Sequence, residues 1–209
     1  FNLEINAQGA RADVVLPLIG NFQILNVLCA VGLVLAGGED VRAVLQTLSA
    51  LEGAPGRLQK IKGHPKRASI FVDYAHTPEA LASVLNALRP HTKGRLSVVF
   101  GCGGDRDTGK RPEMGRVAQS LADKIIITDD NPRTEDPAKI RKTVRVGCPD
   151  ALEIGDRAEA ITAGVKALQS GDILVVAGKG HESGQIVGNT ITPFDDADVV
   201  RQVVQGMNA

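Results

Sequence analysis

Asp130, Asn131, Pro132 and Arg133 stand together in the segment Thr128 to Glu135 and combine a carboxylate, an amide and a guanidinium on a frame that proline stiffens. Pro132 fixes its own φ and biases Asn131 toward extended backbone. An arginine fork takes a carboxylate through two parallel hydrogen bonds, while Asp130 and the Asn131 amide can receive or orient an ammonium. The set suits a zwitterion, and amino acids are zwitterions. Alone, the same residue types also make an ordinary turn with Arg133 in solvent. Three further segments weigh against that reading: Asp73-Tyr74-Ala75-His76-Thr77-Pro78, Gly101-Cys102-Gly103-Gly104-Asp105-Arg106-Asp107, and Gly178-Lys179-Gly180-His181-Glu182.

Each of these segments follows or closes an apolar run. The pattern predicts strands at 68–72, 95–100, 124–128, 151–154 and 172–177. Helices are expected at 78–88, 110–122, 137–146, 157–168 and 195–204. Alternating β and α units of this length imply an α/β fold, a Rossmann-like, doubly wound and mostly parallel sheet. In such a sheet the loops leaving the carboxyl ends of the strands gather along one edge, where ligands bind. The four polar loops then share one crevice. Thr77-Pro78 reads as a helix start, as does Asp156 with Glu159, so Asp156 and Arg157 are taken as structural.

The first 55 residues read differently. Phe1 to Pro17 alternates like strand, with Leu3, Ile5, Val14 and Leu16 apolar; Asn21 to Ala36 and Val41 to Leu51 are helix-like. Gly53-Ala54-Pro55-Gly56 then reads as a linker. A hairpin and two helices are too little to bury a core of their own, so the chain is expected to start inside a domain.

Composition narrows the function classes. Lys and Arg number 24, as do Asp and Glu, leaving no net charge and no basic stripe to recruit nucleic acid or an anionic membrane. The longest apolar runs fall well short of the ~20 residues that span a bilayer, and no signal-peptide pattern is visible. Three scattered cysteines, Cys29, Cys102 and Cys148, point to a reducing compartment and form no metal-ligand spacing. Cys102 reads as a small residue tolerated in a tight turn, not as a nucleophile. Aromatics make up 3% of the chain, too few to expect base-stacking platforms.

Two nucleotide motifs fail. Gly104 to Arg111 has P-loop spacing, but Arg111 stands where the motif needs the Ser or Thr that ligates Mg²⁺. Arg106 occupies the third glycine position of a dinucleotide fingerprint, which disfavours an oxidoreductase.

The strings DYAHTP, FGCGGDRD-x-GKRP, TDDNPR-x-E and AGKGHE, in this order, resemble the Mur ligases that extend the peptidoglycan stem peptide, and within them the diaminopimelate-adding branch. The resemblance implies a carboxy-terminal Rossmann-like amino-acid-binding domain over residues 56–209. It also implies the tail of a central ATPase domain over 1–55, with the UDP-sugar domain and the true P-loop missing and no ligase activity from this piece alone. It places meso-diaminopimelate against Arg106, Asp130, Asn131, Pro132, Arg133, Gly178 and Glu182, with Arg133 clasping the distal carboxylate that lysine lacks. A buried fork left without that carboxylate loses about 2–5 kcal/mol. Asn26 is placed near adenine, Arg57 at the phosphates, and Asp73, Tyr74 and His76 at the ribose and phosphates. For Asn26 a buried, satisfied amide is the alternative. Lys179 and His181 receive no role, a solvated lysine and a hydrogen-bonded structural histidine being expected.

The implied reaction is ATP-dependent amide formation. The D-glutamate side-chain carboxylate of UDP-N-acetylmuramoyl-L-alanyl-D-glutamate is phosphorylated, and the diaminopimelate amine attacks the acyl phosphate. Mg²⁺ is expected to be held mostly outside this chain, with no catalytic or metal-binding residue assigned within it. The setting is cytoplasmic peptidoglycan synthesis by a monomer, without nucleic acid or membrane. A lysine-adding ligase and a non-catalytic amino-acid-binding module are the alternatives.

Overall fold

The computed structural model describes residues 2–7 and 9–209; Phe1 and Gln8, where part of the expected amino-terminal alternation falls, lie outside the described residues. The chain divides into two compact units, Phe1–Gly53 and Ala54–Ala209. In the first, β1 (Asn2–Ala7) pairs antiparallel with β2 (Ala10–Val15), followed by α1 (Asn21–Ala36) and α2 (Val41–Thr47). The Asp40 carboxylate accepts from the Ala43 N–H and starts α2. The helix expected to reach Leu51 ends earlier, at Thr47, and continues as a 3₁₀ turn, Leu48–Ala50. Ile5, Val14, Leu16, Val27, Val31, Leu45 and Leu48 form this unit's core.

The second unit is a six-stranded sheet. Its strands are β3 (Gln59–Ile61), β4 (Ser69–Asp73), β5 (Leu96–Phe100), β6 (Lys124–Ile127), β7 (Leu152–Glu153) and β8 (Ile173–Ala177), in the spatial order β3-β4-β8-β5-β6-β7. Only the β3–β4 pair is antiparallel. The central strands are covered on both faces, which is why Ile173 to Ala177 is a continuous apolar run, buried throughout. Alternate residues divide between the faces: Ile70, Val72, Val99, Leu174 and Val176 pack against α6 (Arg157–Lys166) and α7 (Asp196–Asn208). The opposite face carries α3 (Pro78–Leu88), α4 (Lys110–Leu121) and α5 (Pro137–Arg145), packed side by side.

Side-chain caps fix where the helices begin, and so where the loops before them end. Thr77, Asp136, Asp156 and Asp195 accept from the backbone N–H groups of Ala80, Ala138, Glu159 and Asp198. The expected strands and helices of this unit are present, with ends displaced by a few residues. Absent from the sequence reading were β3 and a separate antiparallel hairpin, β9 (Gly184–Val187) and β10 (Thr190–Pro193). The hairpin did carry a signal: Gly188-Asn189 is a two-residue turn of the kind that favours φ > 0, and Gly188 has φ +58.

Candidate functional site

Strands β4, β5, β6 and β8 all deliver their carboxyl ends to the same edge, and the loops that leave them enclose a cleft of 430 Å³. Tyr74 and His76 line it from the first loop, Arg106 and Lys110 from the second, Asp130, Asn131 and Arg133 from the third, and Gly178 and Glu182 from the fourth. Of the sequence-predicted residues, Pro132, Asp73 and Arg57 are outside the lining, and Asn26 belongs to the first unit.

The third loop is held from within. Asp130, 9% exposed, accepts the N–H of Asn131 through its own carboxylate at 2.7 Å. Asn131, 3% exposed, donates from Nδ2 to Glu182 Oε2 at 2.9 Å and accepts at Oδ1 from Lys179 Nζ and the Ile186 N–H, both at 3.0 Å. Its amide therefore orients this chain's own ammonium. Lys179, expected in solvent, is fully buried instead, because its three donors meet Asn131 Oδ1, Glu182 Oε2 (3.2 Å) and the Gly184 carbonyl (2.6 Å). Gly178 has φ +116, and a Cβ there would press on Asp130 Oδ2. Arg133 Nη1 donates to the carbonyls of Gly104 (2.8 Å) and Asn131 (3.4 Å). Its Nε and Nη2, together with Glu182 Oε1, have no partner among the described residues. A half-buried guanidinium edge and a carboxylate oxygen are thus left on the wall of one cleft.

The glycine loop is locked onto the third loop. A Cβ at Gly104 would overlap the Pro132 carbonyl oxygen, so close backbone approach requires glycine there. Asp105 accepts from Thr134 Oγ1 at 2.8 Å, and Glu135 takes the Asp105 N–H at 2.6 Å. Arg111, the residue that spoils the P-loop, is 4% exposed and forks onto Glu135 at 2.9 and 2.7 Å while also donating to the Gly103 carbonyl. The fork holds the Glu135 carboxyl below its usual pKa and raises that of Arg111. Arg106 is exposed and donates to the Asp105 carbonyl. Cys102 is buried beside Met114, and burial pushes its thiol up to about 12, which favours the protonated thiol over a thiolate nucleophile at neutral pH.

Beneath the loops, Arg157 and Asp196 form a fully buried pair with two 2.7 Å hydrogen bonds. Arg157 also donates to the carbonyls of Asp129 (3.3 Å) and Ala177 (3.0 Å), the residues that precede the third and fourth loops. Reading Arg157 as structural agrees with this placement.

At the other end of the cleft the chain's single tyrosine anchors a ring cluster. The Arg57 guanidinium lies 4.7 Å from the Tyr74 ring centroid, His76 stands edge-on at 4.6 Å, and His181 is tilted at 5.2 Å. His181 is exposed and held by this ring contact, not by the hydrogen bonds expected of it. His76 Nδ1 donates to the Tyr74 carbonyl at 2.9 Å, leaving Nε2 as an acceptor in the neutral ring. Lys110, overlooked in the sequence although it follows the GDRD string, donates to the His76 carbonyl at 2.7 Å. Asp73 has both oxygens engaged, by the Leu58 and Ala75 N–H groups, and burial raises its pKa against the pull of those bonds. It shapes the turn and does not reach the cleft wall. Asn26 is exposed on α1 and donates to Gln23, unlike the buried amide considered for it. No cluster of three or more His, Cys, Asp or Glu suited to a metal occurs among the described residues, and no described helix is long and apolar enough to cross a membrane.

A doubly wound, mostly parallel sheet with polar loops around a cleft at its carboxyl edge defines an α/β domain of the Rossmann-like class. The model of the Mur ligase glutamate ligase domain matches residues 56–180, and the chain belongs to the Mur ligase family. A Caulobacter vibrioides protein named UDP-N-acetylmuramoyl-L-alanyl-D-glutamate-2,6-diaminopimelate ligase is 54% identical over 208 residues, covering 100% of this chain and 43% of the relative. A Brucella melitensis protein of the same name is 55% identical over 184 residues, covering 88% and 38%. A solved structure of a protein so named aligns over 99% of this chain and 43% of its own, with 40% identity and a TM-score of 0.74. The chain thus spans about two fifths of the length of the curated relatives it matches.

Proposed function

We propose that this chain carries the amino-acid-binding domain of an ATP-dependent carboxylate-amine ligase that adds meso-diaminopimelate to UDP-N-acetylmuramoyl-L-alanyl-D-glutamate, a step of cytoplasmic peptidoglycan synthesis. The observation that carries it is the pairing of unpartnered polar edges on one cleft wall: Arg133 Nε and Nη2, and Glu182 Oε1. Glu182 takes an ammonium of the amino acid, and Arg133, with exposed Arg106 at the rim, takes a carboxylate. Asp130, Asn131, Pro132 and Gly178 keep those two groups in place. Lysine offers no second carboxylate for the Arg133 fork, which favours diaminopimelate over the lysine-adding alternative.

Residues 1–55 are assigned to the tail of a central ATPase domain. Asn26 is assigned to adenine, and Arg57, Tyr74 and His76 to the ribose and phosphates of ATP, with Asp73 supporting them. Orienting the free amine toward an acyl phosphate on the D-glutamate side chain, and excluding water while it attacks, is the contribution of this domain to the reaction. The partner substrate and most of the Mg²⁺ coordination are assigned to regions outside this chain, and the working form is a monomer.

An NMR titration of the 209-residue chain and of Arg133→Ala tests the reading. Meso-diaminopimelate is expected to shift the amides around Arg106, Arg133 and Glu182 in the wild type, with L-lysine at least about tenfold weaker because a charged fork stays unpaired. Arg133→Ala abolishes that preference. Equal binding of lysine by the wild type overturns the assignment.

A further inference from the structure

Arg133 occupies φ +51, the left-handed region that a side-chain-bearing residue enters only when its surroundings impose it. The β9–β10 hairpin brackets the residue in that conformation. The Arg133 N–H donates to the Ile186 carbonyl at 3.1 Å, and the Arg133 carbonyl accepts from the Gly188 N–H at 2.7 Å, an isolated parallel bridge to Val187. Two more bonds fasten the same strand to the residues just before: the Ile186 N–H to Asn131 Oδ1 at 3.0 Å, and Gln185 Nε2 to the Asp130 carbonyl at 2.7 Å. Gln185 is half-buried and lies outside the cleft lining. Gly188 sits in the two-residue turn at φ +58, so the turn itself presents the N–H that Arg133 needs.

We propose that the β9–β10 hairpin is a specificity clamp and that Gln185 is a positioning residue within it. By seating Asp130, Asn131 and Arg133 on one strand, the clamp fixes where the Arg133 guanidinium meets the far carboxylate of a dicarboxylic diamino acid. The inference rests on the function proposed above and extends it to residues that touch no ligand. A monocarboxylic analogue such as L-lysine does not engage Arg133, and the Glu182 that takes its ammonium stays held by Asn131 and Lys179 when Gln185 no longer reaches Asp130, so its binding is indifferent to Gln185.

The test compares wild type, Gln185→Ala, the near-isosteric Gln185→Glu and the donor-retaining Gln185→Lys in the 209-residue chain, titrated with meso-diaminopimelate and L-lysine. Amide exchange is followed at Arg133, Gly188 and, as a core reference, Val175. Loss of the Gln185 donor is expected to weaken diaminopimelate about fivefold, one hydrogen bond's worth, while lysine binding is unchanged. Exchange should quicken at Arg133 and Gly188 with Val175 still protected, and Gln185→Lys should restore the preference. Unchanged selectivity in Gln185→Ala and Gln185→Glu, or equal weakening of both ligands, overturns the clamp. A wild type that binds both ligands alike overturns the proposed function, and the clamp with it.

Discussion

Residues 1–53 and 54–209 place their apolar side chains very differently. In the second unit the sheet is covered on both faces, and Ile70, Val72, Val98, Val99, Phe100, Leu174 and Val175 are at 0% exposure. In the first, α1 is apolar around its circumference yet buries mainly Gln23, Val27 and Val31, leaving Leu25 and Leu33 at 65% and 75% exposure. The difference teaches what a sheet sandwiched between helix layers achieves: every apolar position of a central strand has a partner, whereas a hairpin and two helices offer only one side to pack against.

The contrast can be broken hardest at the buried ion pair. Asp196→Ala leaves Arg157 charged and unpaired in a fully buried position and is expected to destabilise the second unit by about 3–5 kcal/mol in urea unfolding. The Asp129 and Ala177 carbonyls beneath the ligand loops lose their anchor with it. A measured loss under about 1 kcal/mol would mean that the pair does not hold the loops.

Matched leucines sharpen the comparison. Leu174→Ala opens a cavity in the closed core and should cost about 2–5 kcal/mol, while Leu33→Ala in the first unit should stay within about 0.5 kcal/mol. Similar losses at both sites in thermal or urea unfolding would erase the distinction.

The smallest effect is chemical. Cys29 is exposed on α1, whereas Cys102 and Cys148 are buried, with burial pushing their thiols up to about 12 and about 11. A thiol-reactive dye at neutral pH should label one site in the native chain and three after denaturation. Native labelling at Cys102 would show that the glycine loop opens.

Much of this molecule was legible in local pattern. The strand runs read at 68–72, 95–100 and 172–177, which fold as β4, β5 and β8 within a residue at each end, were readable because parallel strands buried on both faces are continuous in apolar residues. The helix starts at Pro78 and Arg157 announced themselves through Thr77 and Asp156. The four loops were readable as one site because strand polarity alone sends them to one edge. Lys179 was misjudged because no local signal says that an ammonium will find three acceptors, two of them on side chains from another loop or its own. Arg111 and Glu135 were passed over for the same reason, 24 residues apart in the chain and forked together in space. The β9–β10 hairpin was missed because its strands are short and half polar, and the bonds that tie it to the Asp130 to Arg133 loop join residues more than 50 positions apart.

Order of elements, the edge at which the polar loops gather and the residue types that line the cleft there were thus determined by the sequence itself, since these follow from periodicity, capping and strand direction. Which oxygens and nitrogens remain unpartnered on the cleft wall, that Asn131 and Lys179 tie loops together, and that Arg133 is held at positive φ were decided only by the tertiary structure. Hydrogen-bond partners distant in sequence decide those matters, and no local pattern encodes them.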